Sequence, residues 1–246
     1  MQKTASIVNS GKTAPLTNVA LCLGTLKKAM NRPKHLPGIV VFYGPSGYGK
    51  SRAAAQATIQ YRACCVQIKS MWTRKGTLEM ICKGLGLHAD KTAGGMLEQI
   101  AEELSLSGRP LIIDEADFLV ERGQIEIIRD IYESSLAPIM LIGEELLPNK
   151  LSQWERFHGR VLDWCPAQPV SFEDVRALYQ LYKSSVEIAD DLLHLVYERA
   201  DGSARRVCVN FERISDIARV EGRKEMDLAA WGTHTLFTGE APKRGR

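Results

Sequence analysis

Residues 44–51 read Gly44-Pro45-Ser46-Gly47-Tyr48-Gly49-Lys50-Ser51 and follow the apolar run Ile-Val-Val-Phe-Tyr at 39–43. This is the pattern of a phosphate-binding loop, in which glycines let the backbone curl so that several N–H groups point at one phosphate. Lys50 places a positive charge on the β- and γ-phosphates, and the Ser51 hydroxyl can bind Mg²⁺. Residues 52–57 are good helix formers, so a helix N-terminus also faces the anion. The eight residues 44–51 therefore predict a site for ATP and Mg²⁺.

The composition is that of a chain with an ordinary apolar core. Of the 246 residues, 45% are hydrophobic and 25% are charged, close to the globular average. The sequence has neither an apolar run long enough to span a bilayer nor the apolar core of a signal peptide near Met1. The six cysteines lack metal-type spacing. We therefore expect a cytoplasmic protein with reduced thiols and no membrane partner.

Charge is distributed unevenly along the chain. Residues 1–78 contain twelve Lys and Arg and no Asp or Glu, whereas residues 79–246 contain 20 Lys and Arg and 29 Asp and Glu. Lys50 belongs to the nucleotide site, and the other eleven cations exceed what one triphosphate requires. The asymmetry predicts a polyanion near the N-terminal half, and nucleic acid is the natural candidate. The alternative is a solvated surface that happens to be basic.

Alternating strand and helix patterns predict βαβ units with a parallel sheet. The predicted strands are 39–43, 63–68, 110–114, 138–143 and 160–165. The predicted helices of this part are 17–31 with Thr17 or Asn18 as its cap, the run after Ser51, 77–83, 96–105, 125–133 and 151–157. Beyond Pro169 the pattern is all-helical, with a capping box at Ser171 and Asp174 and helices over 172–184, 190–200, 204–222 and near 225–231.

These patterns divide the chain into four parts. We expect a flexible basic arm over 1–16, an α/β nucleotide-binding domain over 17–168, a helical lid over 169–232 and a basic tail over 233–246.

A pair of acidic residues, Asp114-Glu115, ends the third predicted strand. An acid at the end of a buried strand can hold Mg²⁺, and the next carboxylate can orient the attacking water. We assign Asp114 to the metal and Glu115 to water activation, the alternative being an exposed helix cap. Asp117 fits the cap role better. The string 114–117 is also typical of helicases, but such a helicase needs two of these domains.

Together, the phosphate loop, the Asp114-Glu115 strand, the fifth strand after Arg160 and the helical lid resemble an AAA+ ATPase. The resemblance covers roughly residues 16–222 and implies a three-layer α/β/α domain with a parallel five-stranded sheet and a small C-terminal lid. Within AAA+ proteins, the layout most resembles the target-DNA activators of transposition, such as transposition protein B of Mu-like phages and related transposon helper ATPases.

Family roles are transferred only to matching residues. The resemblance implies that Arg160 is an arginine finger completing a neighbour's site, with Arg156 as the other candidate. It also implies that Arg205, beside Arg206, is the lid arginine that senses the γ-phosphate. The end of the fourth strand departs from the family, because Glu144 stands where a polar Asn or Thr is usual. We assign Glu144 to the nucleotide site in its place. For each arginine, the alternative is a surface ion pair.

The resemblance also implies how DNA is held. Loops of the α/β domain of filament-forming relatives face duplex DNA in a channel, which makes Lys69, Trp72, Arg74 and Lys75 the candidates in the predicted basic loop 69–76. Such cations would neutralise phosphates without reading sequence. Trp72 either packs against a sugar or anchors the loop in the core. Weaker candidates are Lys27, Lys28, Arg32 and Lys34.

Three functions follow from these expectations. The first is an ATP-dependent DNA-binding protein that forms an ATP-bridged ring or filament on duplex DNA and delivers target DNA to a transposase in a bacterial or phage-infected cytoplasm, with hydrolysis driving disassembly. The second is a helicase loader or replication initiator. The third is a regulatory NTPase switch without nucleic acid, and a small-molecule kinase would leave the lid and Arg160 unexplained.

Overall fold

The structure is a computed structural model that describes residues 16–182 and 186–240. The predicted arm, apart from Leu16, and the last six residues of the predicted tail lie outside the described residues. The chain divides into two compact units. The sheet unit comprises residues 17–169 and 202–205, and the helical unit comprises Leu16 and the described residues of 170–201 and 206–246.

The sheet unit alternates strands and helices along its sequence. Its strands are β1 (Ile39–Tyr43), β2 (Cys64–Gln67), β3 (Leu111–Asp114), β4 (Ile139–Gly143) and β5 (Val161–Pro166). Its helices are α1 (Thr17–Met30), α2 (Lys50–Tyr61), α3 (Arg74–Leu85), α4 (Ala93–Ser107), α5 (Asp117–Glu121), α6 (Glu126–Ser135), α7 (Leu147–Leu151) and α8 (Glu155–His158).

The five strands form one parallel sheet in the order β2-β3-β4-β1-β5. Helices cover both of its faces, as successive residues of β2 show, because neighbouring side chains of a strand point to opposite faces. A Cβ at Gly84 of α3 would lie 2.9 Å from Cys64 Sγ, whereas the Cys65 side chain lies beside Thr58 of α2. The predicted three-layer arrangement with a parallel five-stranded sheet is confirmed.

The core of the sheet unit lies along the two faces of β1, β3 and β4. The side chains of β1 are fully buried from Ile39 to Phe42, as expected for a central parallel strand. Burial raises the pKa of Cys22 in α1 to about 12, and its Sγ lies 3.6 Å from Met140 Sδ of β4. The continuous apolar runs thus follow from burial on both sides.

Two local predictions were wrong in detail. Helix α3 begins at Arg74 rather than Thr77, because the Thr73 side chain accepts a hydrogen bond from Gly76 N and caps the helix, an interaction typically worth about 1 kcal/mol. The predicted basic loop 69–76 is therefore shorter. The predicted helix 151–157 is instead two short helices, α7 and α8, interrupted at Trp154, whose backbone is not helical.

The helical unit contains helices and one small sheet. Its elements are α9 (Phe172–Tyr182), β6 (Glu187–Ile188), α10 (Asp190–Ala200), most of α11 (Ala204–Val220), β7 (Glu225–Met226) and α12 (Leu228–Trp231). Phe211 and Trp231 are buried in its own core. Ser171 and Asp174 form the predicted capping box, with bonds of 3.0 and 3.1 Å in the two directions. The parallel pair β6–β7 was not predicted. Within the described ranges, every helix is too short or too polar to cross a bilayer.

Candidate nucleotide site

The loop 44–51 joins the carboxyl end of β1 to the amino end of α2. Gly47 and Gly49 have φ angles of 88° and 84°, a left-handed backbone that side chains with a Cβ rarely adopt. Lys50 is the first residue of α2, and Ser51 follows it with an exposed side chain. The loop therefore presents a curled backbone and a helix N-terminus at one edge of the sheet, an arrangement that attracts anions.

The ammonium group of Lys50 lies inside this loop. Its Nζ donates hydrogen bonds to the carbonyl oxygens of Gly44 at 2.6 Å and Pro45 at 2.9 Å. Burial lowers the pKa of Lys50, and the nearby carboxylates of Glu115 and Asp114 oppose that shift. The cation is bonded to neutral oxygens that phosphate oxygens could replace. The loop, Lys50 and the Ser51 hydroxyl thus fit a triphosphate with Mg²⁺.

Asp114 and Glu115 lie at the same edge, at the end of β3. Asp114 is buried, and its Oδ1 accepts a bond of 3.0 Å from the backbone N–H of Glu115. Glu115 has φ 57°, a left-handed conformation that costs about 1–3 kcal/mol for a residue other than glycine. Burial raises the pKa of Glu115, and the charges of Asp114 and Asp117 raise it further. The fold thus gathers the phosphate loop and both acids at one edge.

Asp117 has a different position from the predicted cap. Its side chain does not cap α5. Instead, Oδ2 accepts a bond of 2.7 Å from Glu144 N, and Oδ1 lies 2.9 Å from Lys150 Nζ. Lys150 Nζ also bonds Glu121 at 2.7 Å, and these bonds raise the pKa of Lys150. Asp117 therefore fixes the backbone after β4, while the Glu144 side chain is exposed and its charge acts on Lys50.

Asn18 is a site residue that the sequence did not reveal. It lies in the first turn of α1 and is not its cap. Its Nδ2 donates to the carbonyl oxygens of Tyr48 at 2.9 Å and Gln168 at 2.7 Å, and its Oδ1 accepts from Gln168 N at 2.8 Å. One side chain thus ties α1, the phosphate loop and the segment after β5 together. These partners are far apart in sequence, so no local pattern could signal the contact.

The segment 202–205 packs on the phosphate loop. The backbone N–H of Arg205 donates to Gly47 O at 3.1 Å. A Cβ at Gly47 would lie 2.4 Å from Ser203 Oγ, and one at Gly202 would lie 2.7 Å from the Tyr48 hydroxyl. Arg205 itself is exposed. The fold thus brings this predicted arginine to the loop. Its neighbour Arg206 belongs to the helical unit, where it pairs with Asp201 at 3.3 Å.

Arg160 lies at the opposite edge of the sheet. Its carbonyl oxygen accepts a bond of 3.2 Å from the N–H of Ile39, where β1 begins. Its guanidinium forms an ion pair of 2.8 Å with Glu133 of α6. Arg156 in α8 is exposed, and within the described ranges it has neither an ion pair nor a side-chain hydrogen bond. The structure therefore does not bring either arginine to the phosphate loop of its own chain.

The four predicted DNA-contact residues lie around the start of α3. Lys69 is exposed and bonds Gln67 at 2.9 Å. Arg74 bonds Gly123 O at 3.2 Å, and Lys75 lies 3.9 Å from Glu79. Trp72 packs against the core of the sheet unit, the second of its two predicted roles.

Among the weaker candidates, Arg32 is used within the fold. Its guanidinium donates to the carbonyl oxygens of Ala29 at 2.8 Å and Leu136 at 2.6 Å. The Arg32 side chain therefore holds the end of α1 against the segment before β4.

Comparisons with known proteins concern the fold that contains this site. Residues 34–151, slightly less than half of the chain, match the family model described as an AAA domain. That match implies nucleotide binding by this part of the chain. A search of curated proteins found no match.

Several solved structures have the same fold. Cdc6p from Pyrobaculum aerophilum is 14% identical, with a TM-score of 0.64 over 91% of this chain and 66% of that chain. The Aeropyrum pernix ORC1 protein in complex with DNA is 17% identical, with a TM-score of 0.59 over 91% of this chain and 64% of that one. A Thermotoga maritima RuvB variant is 20% identical, with a TM-score of 0.59 over 87% and 66%.

At these identities the likeness establishes the fold, and this chain spans only about two thirds of each of those chains. Residues 34–151 thus match an AAA domain within the AAA+ P-loop α/β fold, followed by C-terminal helices.

Proposed function

We propose that this protein is an ATP-dependent DNA-binding switch of the replication-initiator or helicase-loader kind. The observation that carries this proposal is the gathering of Lys50, Asp114 and Glu115 at one edge of an AAA+ sheet, where the charges of both acids act on the lysine. The similarity to Cdc6p and to ORC1 in complex with DNA favours this kind of switch over others.

Different residues of the site would bind the phosphates, bind Mg²⁺ and activate the attacking water. Backbone N–H groups of 44–51 and Lys50 would hold the phosphates, and Ser51 with Asp114 would hold Mg²⁺. Bound ATP supplies the phosphoanhydride bond that water cleaves. Glu115 would orient that water and accept its proton, and its raised pKa makes the carboxylate a stronger base.

Two roles at the nucleotide would be filled by arginines, one from the same chain and one from a neighbouring subunit. Arg205, at the phosphate loop, would sense the γ-phosphate within its own chain. Arg160 and Arg156 lie away from that loop, so either would act on the nucleotide of a neighbouring subunit. Release of Arg160 from Glu133 would be part of assembly, and ATP would thereby bridge subunits into a ring or filament on duplex DNA.

The second candidate function is target-DNA activation in transposition, with a transposase as partner. It is favoured by the excess of Lys and Arg over the first 78 residues, because phosphate contacts carry no sequence information and suit a protein that accepts almost any target. A helicase loader is expected to prefer single-stranded DNA, whereas a replication initiator and a transposition activator are both expected to bind duplex DNA. Competition between the two DNA forms at fixed salt therefore separates a loader from an activator.

The experiment that tests the switch is a DNA mobility shift with a non-hydrolysable ATP analogue, with ADP and without nucleotide, followed by electron microscopy. We expect multimers on DNA only with the ATP analogue, and loss of them in Lys50→Ala. Equal DNA binding in all three states, or monomers alone, would contradict the proposal. Monomers alone, with no shift of the DNA, would instead support the NTPase switch without nucleic acid, which predicts that Arg74→Glu and Lys75→Glu leave function intact.

Mixing two variants tests the action between subunits. Lys50→Ala lacks a working loop but keeps Arg160, whereas Arg160→Ala keeps the loop. We expect each variant alone to hydrolyse ATP poorly and their mixture to recover activity. If Arg160→Ala alone hydrolyses ATP normally, while Arg156→Ala is inactive alone and recovers when mixed with Lys50→Ala, Arg156 is the finger.

A further inference from the structure

The residues that precede the five strands form a row along one edge of the sheet, opposite the phosphate loop. Backbone hydrogen bonds of 2.9–3.2 Å link them in pairs: Cys64 N to Pro110 O, Leu111 N to Pro138 O, Ile139 N to Gly38 O and Ile39 N to Arg160 O. We call this row the amino edge; it comprises 27–28 at the end of α1, 32–38, 62–63, 109–110, 136–138 and 160.

The amino edge is rich in cations. Its Lys and Arg residues are Lys27, Lys28, Arg32, Lys34, Arg62, Arg109 and Arg160. Five of them belong to the first 78 residues, which contain no Asp or Glu. The amino edge thus collects much of the positive charge that the nucleotide site does not need.

Two of these cations bind carbonyl groups at the C-terminal ends of helices, which lie at this edge and attract positive charge. Arg32 Nη2 donates to Leu136 O at 2.6 Å, and Arg109 Nε donates to Arg62 O at the end of α2 at 2.9 Å. A further two are paired: Lys28 with Asp163 at 2.9 Å and Arg160 with Glu133 at 2.8 Å.

Three cations of the amino edge remain available. Lys27, Lys34 and Arg62 are exposed. Across residues 16–182 and 186–240, none of their side-chain nitrogens has an ion pair or a hydrogen-bond partner. Their side chains can therefore contact an external anion without breaking an existing contact.

The opposite edge, at the carboxyl ends of the strands, is much less suited to a polyanion. The acidic residues there are Asp114, Glu115, Asp117, Glu144 and Glu145. These carboxylates repel phosphates other than those drawn into the loop beside Lys50. Of the predicted contacts near that edge, Lys69, Arg74 and Lys75 already have partners within the fold.

The length of the amino edge fits a nucleic acid. Five strands about 4.8 Å apart span about 19 Å. Duplex DNA carries one negative charge per about 1.7 Å of its axis, so that roughly eleven phosphates lie along such a length. A row of separated cations is matched by this linear charge better than by one small anion.

We propose that the amino edge is the duplex-DNA surface of this protein, with Lys27, Lys34 and Arg62 contacting phosphates. This rests on the proposed DNA binding and moves the contacts away from the loop before α3. The DNA and the nucleotide would then lie at opposite edges of one sheet.

The salt dependence of duplex binding tests this assignment. In the triple variant Lys27→Gln, Lys34→Gln, Arg62→Gln, three phosphate contacts are lost. The slope of log K against log [salt] should become shallower by about 2.7, and affinity at 0.15 M salt should fall roughly 100-fold. Binding of a fluorescent ATP analogue should be unchanged, which confirms that the variant is folded.

Two charge-matched variants serve as controls. One is Lys69→Gln, Arg74→Gln, Lys75→Gln near the start of α3, and the other is Arg199→Gln, Arg219→Gln, Lys224→Gln in the helical unit. Each removes three positive charges, and we expect slope changes below about 1. An unchanged slope in the amino-edge variant, or an equal change in all three, overturns the inference. If the unmodified protein does not bind DNA at all, the proposed function itself fails.

Discussion

The backbone N–H of Arg205 donates a hydrogen bond of 3.1 Å to the carbonyl oxygen of Gly47. This bond places a residue from the start of α11 directly on the phosphate loop, and Ser203 packs against the same glycine. A change in the loop backbone therefore acts on the segment 202–205, and the reverse also holds.

We predict that Gly47→Ala lowers ATP affinity at least about tenfold and destabilises the protein by about 1–3 kcal/mol. The added Cβ would lie 2.4 Å from Ser203 Oγ, at a φ of 88°. Equilibrium nucleotide binding and urea unfolding measure the two effects. Gly24→Ala is the control, because a Cβ at Gly24 meets nothing within 4 Å and alanine stabilises a helix by about 0.5–1 kcal/mol. Equal ATP affinity and equal stability to urea in Gly47→Ala and Gly24→Ala would contradict the prediction.

For Arg205→Ala we expect ATP hydrolysis to fall about 100-fold while ADP affinity changes little, because the lost cation would act on the γ-phosphate. Steady-state hydrolysis and ADP titration measure this difference. Arg213→Ala removes an exposed arginine of the same helix and should leave hydrolysis unchanged. A parallel loss of ATP and ADP affinity would instead assign Arg205 a structural role.

Glu115→Gln should reduce the hydrolysis rate by about 10²–10⁴-fold and leave ATP affinity nearly intact, because the amide cannot accept a proton from water. DNA-bound assemblies should then persist in ATP. Single-turnover hydrolysis and mobility shifts provide the measurement. Normal turnover in this variant would remove Glu115 from the mechanism.

The pH dependence of stability offers an independent test of Glu115. Its pKa in the folded protein is raised above the ordinary value of about 4.3, so its ionisation costs folding free energy. The stability associated with its protonated form is present below the ordinary pKa and is lost as pH rises through the raised value. In urea unfolding, the free energy of unfolding of Glu115→Gln should rise relative to that of the unmodified protein as pH increases from 4 to 8. A constant difference across that range would contradict the raised pKa.

We expect Asn18→Ala to destabilise the protein by about 2–3 kcal/mol, because three hydrogen bonds of 2.7–2.9 Å are lost and their partners remain partly buried. ATP affinity should also fall, since Tyr48 O loses its support. Asn31→Ala, at an exposed asparagine of the same region, should change stability by less than about 0.5 kcal/mol. A similar loss of unfolding free energy in both variants would show that the hydrogen bonds of Asn18 do not stabilise the fold.

Several features were predictable because their signals are local. The strands 39–43, 110–114 and 138–143 are apolar runs bounded by turns, and each agrees with the structure to within one residue. The start of α3 was missed because Thr73 caps it within a polar stretch that resembles a loop. The prediction of Asp117 as a cap was wrong because its partner, the backbone N–H of Glu144, lies just after β4 and is distant in sequence.

Neighbouring residues encode the phosphate loop, the acidic pair at the end of β3 and the alternation of strands and helices, so the chain alone predicts them. The positions of Asn18 and Arg205 at the loop, of Arg160 away from it, and of Lys27, Lys34 and Arg62 along one edge arise only when the chain folds. Those relationships depend on strand order and on contacts between distant segments, and no local or periodic pattern of the sequence signals them.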